Sequence, residues 1–217
     1  MKNSSRRTNV LALLAAVAIA GCSPTTYQST PGAPGAPVLT PAAQAKADGG
    51  VMPYTRADVQ FMQGMIGHHA QAVVMAGWAQ THRARSDVKI LASRIDVGQR
   101  DEIAFMQRWL AERREMVPGA DMKGEHAMMH MPGMLMPGML TSEQMAQLDK
   151  ASAVEFDQLF LTFMMQHHQG ALTMVEQLFS NPGGGQELYV FRFASDVGAD
   201  QITEIDRMRT MLAVPPL

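Results

Sequence analysis

The residues best suited to chemistry in this 217-residue chain are two pairs of adjacent histidines, each set among methionines. The first pair lies in FMQGMIGHHAQAVVMA, residues 61–76, and the second lies in FLTFMMQHHQGALTMV, residues 160–175. One offset of 99 residues aligns both histidine pairs and their flanking methionines, so the two stretches are an internal repeat. The aligned positions are His68, His69, Met65 and Met75 in the first copy, and His167, His168, Met164 and Met174 in the second.

Imidazole nitrogen and thioether sulfur together suit soft and borderline metal ions. Cu(I) is favoured, and Ag(I) and Cu(II) are further candidates. Buried imidazoles need a partner, so these histidines are expected to be hydrogen-bonded, exposed or bound to a metal. Thioethers do not titrate, and a methionine site therefore keeps its ligands at acidic pH. The alternative is that the methionines only fill the core, a role that their flexible side chains also suit.

Both motifs are expected to lie on helices, with the two imidazoles flanking a face of methionine and alanine. Small residues, Ala72 and Ala171, leave room where the two helices would meet. The four histidines are then predicted either to converge or to form two related sites. Glu102 and Glu204 lie on the flanks of the following helices, where they either orient the imidazoles as hydrogen-bond acceptors or are solvated.

A second group of methionines and histidines lies between the repeats, in DMKGEHAMMHMPGMLMPGML at residues 121–140. Its Pro-Gly pairs preclude a continuous helix, and we expect a flexible loop that stays out of the core. We interpret it as a loop that captures soft metal ions; a low-complexity connection or a partner-binding surface are the alternatives. The candidate ligands are His126, Met128, Met129, His130, Met131, Met134, Met136 and Met139.

The hydrophobic periodicity around these motifs predicts helices throughout, and no segment shows sustained strand alternation. Two αα-hairpins, at 55–115 and 141–213, flank the Met-rich loop at 116–140 within a domain of residues 53–217. Such a duplication buries its apolar faces most simply as an antiparallel four-helix bundle. The expected helices run from about Thr55 to Thr81, Ser86 to Arg114, Thr141 or Ser142 to Lys150, through Phe156 to Phe179, and Gln186 to Leu212.

The first residues have the pattern of an export signal, with a basic start followed by an apolar run at 10–20. Residues 19–22, IAGC, resemble a bacterial lipobox, which implies cleavage after residue 21 and lipidation of Cys22, the only cysteine. Residues 22–52 are then a lipidated, disordered tether rich in Pro, Gly, Ala and Thr. Removing residues 1–21 lowers the formal net charge from −2 to −5, and without a basic stripe the protein is not expected to bind nucleic acid.

The motifs resemble a known bacterial family when they are read with the helices that follow them. FMQGMIGHHAQAVVMA precedes GQRDEIAFMQRWL, and FDQLFLTFMMQHHQGALTMV precedes DQITEIDRMRTML. This pattern, over about residues 55–213, resembles the domain of unknown function 305 family. The resemblance implies a ferritin-like four-helix domain that is often exported. Characterised relatives include periplasmic copper-binding proteins, so it also implies metal handling through the repeated histidines and methionines.

The sequence therefore predicts a membrane-anchored envelope lipoprotein that sequesters or transfers copper without catalytic turnover; a copper-handling protein is a candidate partner. A ferritin-like di-metal oxidoreductase is one alternative, but it would need Glu-x-x-His pairs facing the bundle interior. Met65 and Ile66 stand three residues before the first histidine pair, where that motif needs glutamate. The other alternative is a structural or adaptor lipoprotein with a methionine-packed core.

Overall fold

The computed structural model describes residues 53–120 and 135–213, and most of those residues are helical. No strand occurs within these two ranges, which confirms the all-α prediction. The helices are α1 (Arg56–Trp78), α2 (Ser86–Glu112), α3 (Ser142–Lys150), α4 (Ala153–Ser180) and α5 (Leu188–Ala213).

Helix α1 ends earlier than the sequence pattern predicts. The backbone N–H groups of Ala79 and Thr81 donate to the carbonyls of Ala76 and Trp78, three residues back instead of four. Arg83 then takes a positive φ of 59°, which is incompatible with a continuing helix. The helix therefore stops at Trp78 and residues 79–83 form turns instead of a last helical turn.

Two helices begin with the same kind of side-chain cap. Thr55 and Asp58 form a reciprocal capping box at α1, and Thr141 and Gln144 form one at α3. Asp58 does more than cap, because its fully buried Oδ1 accepts a hydrogen bond of 2.7 Å from the backbone N–H of Gly185. This bond ties the start of α1 to the turn that precedes α5.

The four long helices pack as two hairpins joined face to face. α1 packs against α2, α4 packs against α5, and the two hairpins meet mainly through α1 and α4. α2 and α5 each lie against their own hairpin partner and do not pack closely on one another. The central pair of the bundle is therefore formed by the two helices that carry the repeated motifs.

The apolar core consists of two separate clusters. One gathers residues from the second half of α1 and the first half of α4, including Met75, Phe156 and Phe160. The other gathers residues from the first half of α1 and the second half of α4, including Met65 and Val175. Because the clusters take opposite halves of antiparallel helices, the middle of the bundle falls between them.

Among the described residues, no helix is long and apolar enough to cross a membrane.

Candidate metal centre

A layer of buried polar side chains occupies the middle of the bundle, between the two apolar clusters. Each central helix contributes its histidine pair, and each outer helix contributes a glutamine. All four imidazoles are fully buried, and the two glutamine side chains are nearly so. The layer consists of His68, His69, His167, His168, Gln99 and Gln201.

The two repeats meet at this layer. The ring centroids of His68 and His167 lie 3.8 Å apart with the ring planes tilted by 38°, and each ring lies within 6.3 Å of its neighbour in the same pair. Ala72 and Ala171, the small residues expected where these helices meet, are both buried. The structure thus brings together histidines that lie 99 residues apart in the chain.

Three of the imidazoles are held through Nε2. His68 Nε2–H donates to the carbonyl of Pro137 over 3.0 Å, and His167 Nε2–H donates to the carbonyl of His68 over 2.9 Å. A carbonyl oxygen can only accept, so the proton of each of these rings is on Nε2. His168 Nε2 lies 2.6 Å from the carboxylate of Glu204, which fixes the third ring in the same way.

The fourth imidazole, His69, contacts a glutamate as His168 does, but the geometry of the contact differs. His69 Nε2 lies 2.6 Å from Glu102 Oε2, yet it makes no hydrogen bond because the ring N–H is not directed at the oxygen. The side chains of both glutamates are partly exposed to solvent, 19% for Glu102 and 24% for Glu204. Of the two roles open to them from the sequence, the structure favours contact with the imidazoles over full solvation.

In all four imidazoles the Nδ1 atom has no partner. The Nδ1 atoms of His68, His69, His167 and His168 are all buried and make no hydrogen bond. An unpartnered buried polar atom costs about 1–3 kcal/mol, so four of them in one layer need an explanation. A histidine whose Nε2–H is held by a carbonyl or carboxylate, with a free lone pair on Nδ1, is arranged as a metal ligand.

The protonation state of the layer agrees with that arrangement. Burial lowers the pKa of His68 to about 3, and the neighbouring His69 adds to the effect. Burial also lowers the pKa of His167 well below its ordinary value, with a further contribution from His68. Both rings are therefore neutral at physiological pH, and neutral imidazole is the form that binds metal ions.

These shifts predict that the apoprotein loses stability as the pH falls. The pKa of a histidine is about 6.5 in the unfolded chain and about 3 for folded His68. Between these two pH values the unfolded state binds more protons than the folded state. The contribution of His68 to the free energy of unfolding is therefore complete above pH 6.5 and is lost as the pH falls towards 3. We expect a loss of about 2 kcal/mol at about pH 5, measured by urea unfolding.

The matched variant for this measurement is His68→Gln, which retains an N–H donor and does not titrate. The pH dependence of its unfolding free energy should be weaker than that of the wild type. An equally steep dependence in both proteins would show that other groups cause the acid sensitivity.

The motif methionines lie on both sides of the histidine layer. Met65 and Met174 belong to one apolar cluster, and Met75 and Met164 belong to the other. Three of the four are fully buried, and Met174 is 8% exposed. Within the described part of the chain, no three His, Cys, Asp or Glu side chains are placed to hold one ion. A metal ion in this layer would therefore need thioether sulfur, or movement of the rings, to complete its coordination.

Part of the Met-rich loop packs on the bundle, contrary to the expectation that its Pro and Gly residues would keep it out of the core. Leu140 is buried at 1% exposure, and the side-chain amide of Gln71 bonds both its N–H and its carbonyl. The loop packs this closely because Gly138 and Gly170, which face each other, have no side chains. A Cβ on Gly170 would lie 1.9 Å from the carbonyl oxygen of Pro137. Gly138 itself has a φ of +74°, which glycine adopts without strain.

This docking brings loop methionines to the bundle. A Cβ added at Gly64 would lie 3.5 Å from Met136 Sδ and 3.4 Å from the terminal methyl of Met174, so these two side chains are neighbours. Met139 is partly buried. The remaining loop candidates lie outside the described residues; they are His126, Met128, Met129, His130, Met131 and Met134. Cys22, the signal segment and the tether also lie outside the described residues.

Two residues that shape the site could not be predicted from the sequence. Pro137 supplies the carbonyl that orients His68, and Gly170 makes room for it. Gly170 lies two residues after His168, in QHHQG, but nothing in the second motif indicates which segment packs on it.

Fold and site together define a helical bundle with a buried histidine layer between methionine-containing clusters. The chain belongs to the DUF305 family, a domain of unknown function, whose model matches residues 58–212. This confirms the family resemblance seen in the sequence. A protein of Acanthamoeba polyphaga mimivirus, uncharacterized protein L153, is 37% identical over 57 residues; the match spans 26% of this chain and 38% of that protein.

Several solved structures have the same fold. A DUF305 protein of Streptomyces coelicolor, described as secreted, is 27% identical, with a TM-score of 0.61, over 72% of this chain and 92% of its own. A DUF305 fragment of Deinococcus radiodurans is 30% identical, with a TM-score of 0.59, over 74% and 97%. CopM in its Cu(II)-bound form is 28% identical, with a TM-score of 0.57, over 71% and 95%. CopM has also been solved with Cu(I) and with Ag bound.

Proposed function

We propose that this protein binds copper as cargo in the histidine layer, for sequestration or transfer, and does not turn over a substrate. The observation that carries the proposal is the set of four buried Nδ1 atoms that make no hydrogen bond within the described structure. A bound ion would give these lone pairs the partner that the described residues do not provide. The Nε2 contacts that hold the rings would remain in place when it binds.

The flanking thioethers favour a soft ion. Because no three nitrogen or carboxylate groups are placed to share an ion, sulfur from the motif methionines is the available complement. A mixed imidazole–thioether ligand set prefers Cu(I), and Ag(I) follows by the same chemistry. Structures of CopM, a related protein, with Cu(II), Cu(I) and Ag support copper and silver as ions of the right class.

Methionine replacements separate this role from core packing. We expect the double variant Met65→Leu/Met164→Leu to bind Cu(I) at least about tenfold more weakly, because leucine matches the volume but has no sulfur donor. The control Met106→Leu/Met208→Leu changes two equally buried methionines outside the motif. Competition with a chromophoric Cu(I) chelator gives both affinities. Equal Cu(I) affinity in the two variants would assign the motif methionines to packing alone.

A di-metal oxidoreductase is the second candidate, and the contacts of Glu102 with His69 and of Glu204 with His168 are the features that favour it. Carboxylate–histidine pairs are what such centres use. Elemental analysis of the purified full-length protein distinguishes the two functions. Copper uptake without iron agrees with a copper carrier, whereas iron at two ions per chain would identify the oxidoreductase.

We infer that the protein is exported and held at the membrane by lipid on Cys22, which places the bundle in the cell envelope. The lipobox-like residues 19–22 support the anchor, and the related Streptomyces protein, described as secreted, supports export. The Met- and His-rich loop at 116–140 would capture soft ions, and one of its candidate ligands, Met136, neighbours Met174 of the bundle.

A further inference from the structure

Four exposed apolar side chains form a patch at the turn between α4 and α5. Phe179, at the end of α4, is 39% exposed; Leu188, Tyr189 and Phe191, at the start of α5, are 52%, 56% and 52% exposed. The rings of Phe179 and Phe191 meet edge to face, with centroids 5.8 Å apart. Exposed apolar side chains that are grouped in this way mark an interaction surface. These four residues are called the aromatic patch below.

The internal repeat shows that the fold does not require apolar side chains at these positions. An offset of 99 residues aligns the central helices, and an offset of 102 aligns Gln99 with Gln201 on the outer helices. With these offsets every member of the patch corresponds to a polar residue of the first hairpin. The pairs are Phe179 with Gln80, Leu188 with Ser86, Tyr189 with Asp87 and Phe191 with Lys89. The aromatic patch is therefore a feature of the second hairpin alone.

The patch lies at the end of the bundle where the preceding chain joins it. The backbone N–H of Gly185 donates to Asp58 at the start of α1. Gly185 also packs on the patch, since an added Cβ would lie 2.4 Å from Cε1 of Phe179. The segment that begins at Cys22 and ends at residue 52 is thus connected to the bundle beside the aromatic patch.

The surface around the patch carries no exposed negative charge. Glu187 is the only acidic residue in the range 179–192, and it is buried. Its carboxylate accepts hydrogen bonds from the start of α5 and pairs with Arg113 over 3.4 Å. Arg192, next to the patch, is exposed. Aromatic side chains are enriched at the membrane–water interface, and basic side chains are attracted to anionic headgroups.

We propose that the aromatic patch contacts the headgroup region of the membrane to which the protein is anchored. This inference rests on the proposed lipid anchor at Cys22 and is independent of copper binding. A few side chains bind a bilayer only weakly, but an anchored bundle has a high effective concentration at the surface, so a weak contact suffices. The start of α1 then faces the membrane, and His68 lies about 18 Å along the helix from Arg56.

Site-specific fluorescence quenching tests this orientation. The complete protein is purified from membranes and reconstituted in vesicles of phosphatidylethanolamine and phosphatidylglycerol that carry a nitroxide on the headgroup. A fluorophore is attached to Gln186→Cys beside the patch, or to Ser86→Cys at the opposite end of the bundle; both positions are exposed. Acylation blocks Cys22, the only native cysteine, so labelling is specific. We expect the label at 186 to be quenched and the label at 86 to keep its fluorescence.

The variant Tyr189→Asp/Phe191→Lys introduces the corresponding residues of the first hairpin and leaves the net charge unchanged. Quenching at position 186 should be lost in this variant, because two of the apolar side chains that contact the bilayer are removed. The matched control is Ile90→Ser/Val97→Ser, which removes two apolar side chains of α2 that are 58% and 60% exposed. The control should keep the quenching of the wild type, and circular dichroism should show the same helicity in all the proteins.

Equal quenching of the two labels, or quenching at 186 that survives in the Tyr189→Asp/Phe191→Lys variant, would overturn the membrane contact. If the protein floats with the vesicles and neither label is quenched, the anchor stands and the contact is wrong; a dimer in light scattering would then assign the patch to a second copy. A protein that does not float with the vesicles would contradict both the anchor and the contact. Chelator competition with Cu(I) on the same proteins tests the copper function separately, and the patch variant should keep the affinity of the wild type.

Discussion

Replacing His68, His69, His167 and His168 together with alanine is expected to lower Cu(I) affinity at least about a thousandfold, or about 4 kcal/mol. The variant loses all four buried Nδ1 atoms, which are the nitrogen ligands in the proposed site. Helicity should persist, because two apolar clusters on either side of the layer hold the four long helices together. Chelator competition measures the affinity, and circular dichroism measures the helicity.

The control for this variant is His82→Ala. Both ring nitrogens of His82 already contact backbone carbonyls, those of Trp78 and Asp149, so this histidine has no free nitrogen for an ion. Its replacement should leave Cu(I) affinity unchanged. If the quadruple histidine variant bound Cu(I) as tightly as the wild type, the histidine layer would not be the copper site.

The second large effect is expected at Gly170, where alanine should destabilise the fold by roughly 1–3 kcal/mol. The added Cβ would lie 1.9 Å from the carbonyl oxygen of Pro137 and 2.5 Å from the Cα of Gly138. Both contacts are to backbone, so the turn must move away from α4. His68 then loses the carbonyl that orients it, and Cu(I) affinity should fall together with stability.

Gly198→Ala is the matched control, because a Cβ at this helical glycine would meet no atom within 4 Å. Alanine there should stabilise the protein by about 0.5–1 kcal/mol through its higher helix propensity. Urea unfolding and Cu(I) competition are measured on both variants. A Gly170→Ala protein as stable as the wild type would show that the loop does not dock as described.

The central helices and their histidine pairs could be predicted because the information is local. Periodic apolar residues, capping residues at Thr55 and Thr141, and a repeat at constant offset all lie within single segments. The meeting of the two repeats follows from the duplication itself, since two like hairpins bury like faces. The closeness of Glu102 and Glu204 to the imidazoles was one of two roles left open, because residue spacing places a side chain on a helix flank without giving its rotamer.

The docking of the loop could not be predicted, because it depends on contacts between distant residues. Pro137 reaches His68 across 69 positions of sequence, and it does so only because Gly138 and Gly170 both lack a Cβ. A segment rich in Pro and Gly has no periodicity from which such packing can be read. The same contact breaks the symmetry of the repeats: His68 donates to Pro137, while its counterpart His167 donates to His68.

In the proposed site, soft ions bind through Nδ1 of the buried histidines. A crystal structure of the protein loaded with Ag(I) or Cu(I), with the ions located by anomalous scattering, tests it directly. We expect an ion between the two apolar clusters, bonded to Nδ1 of histidines from the repeated pairs and to a motif methionine. Ions found only on the surface or in residues 121–134, with all four Nδ1 atoms still free, would contradict the claim.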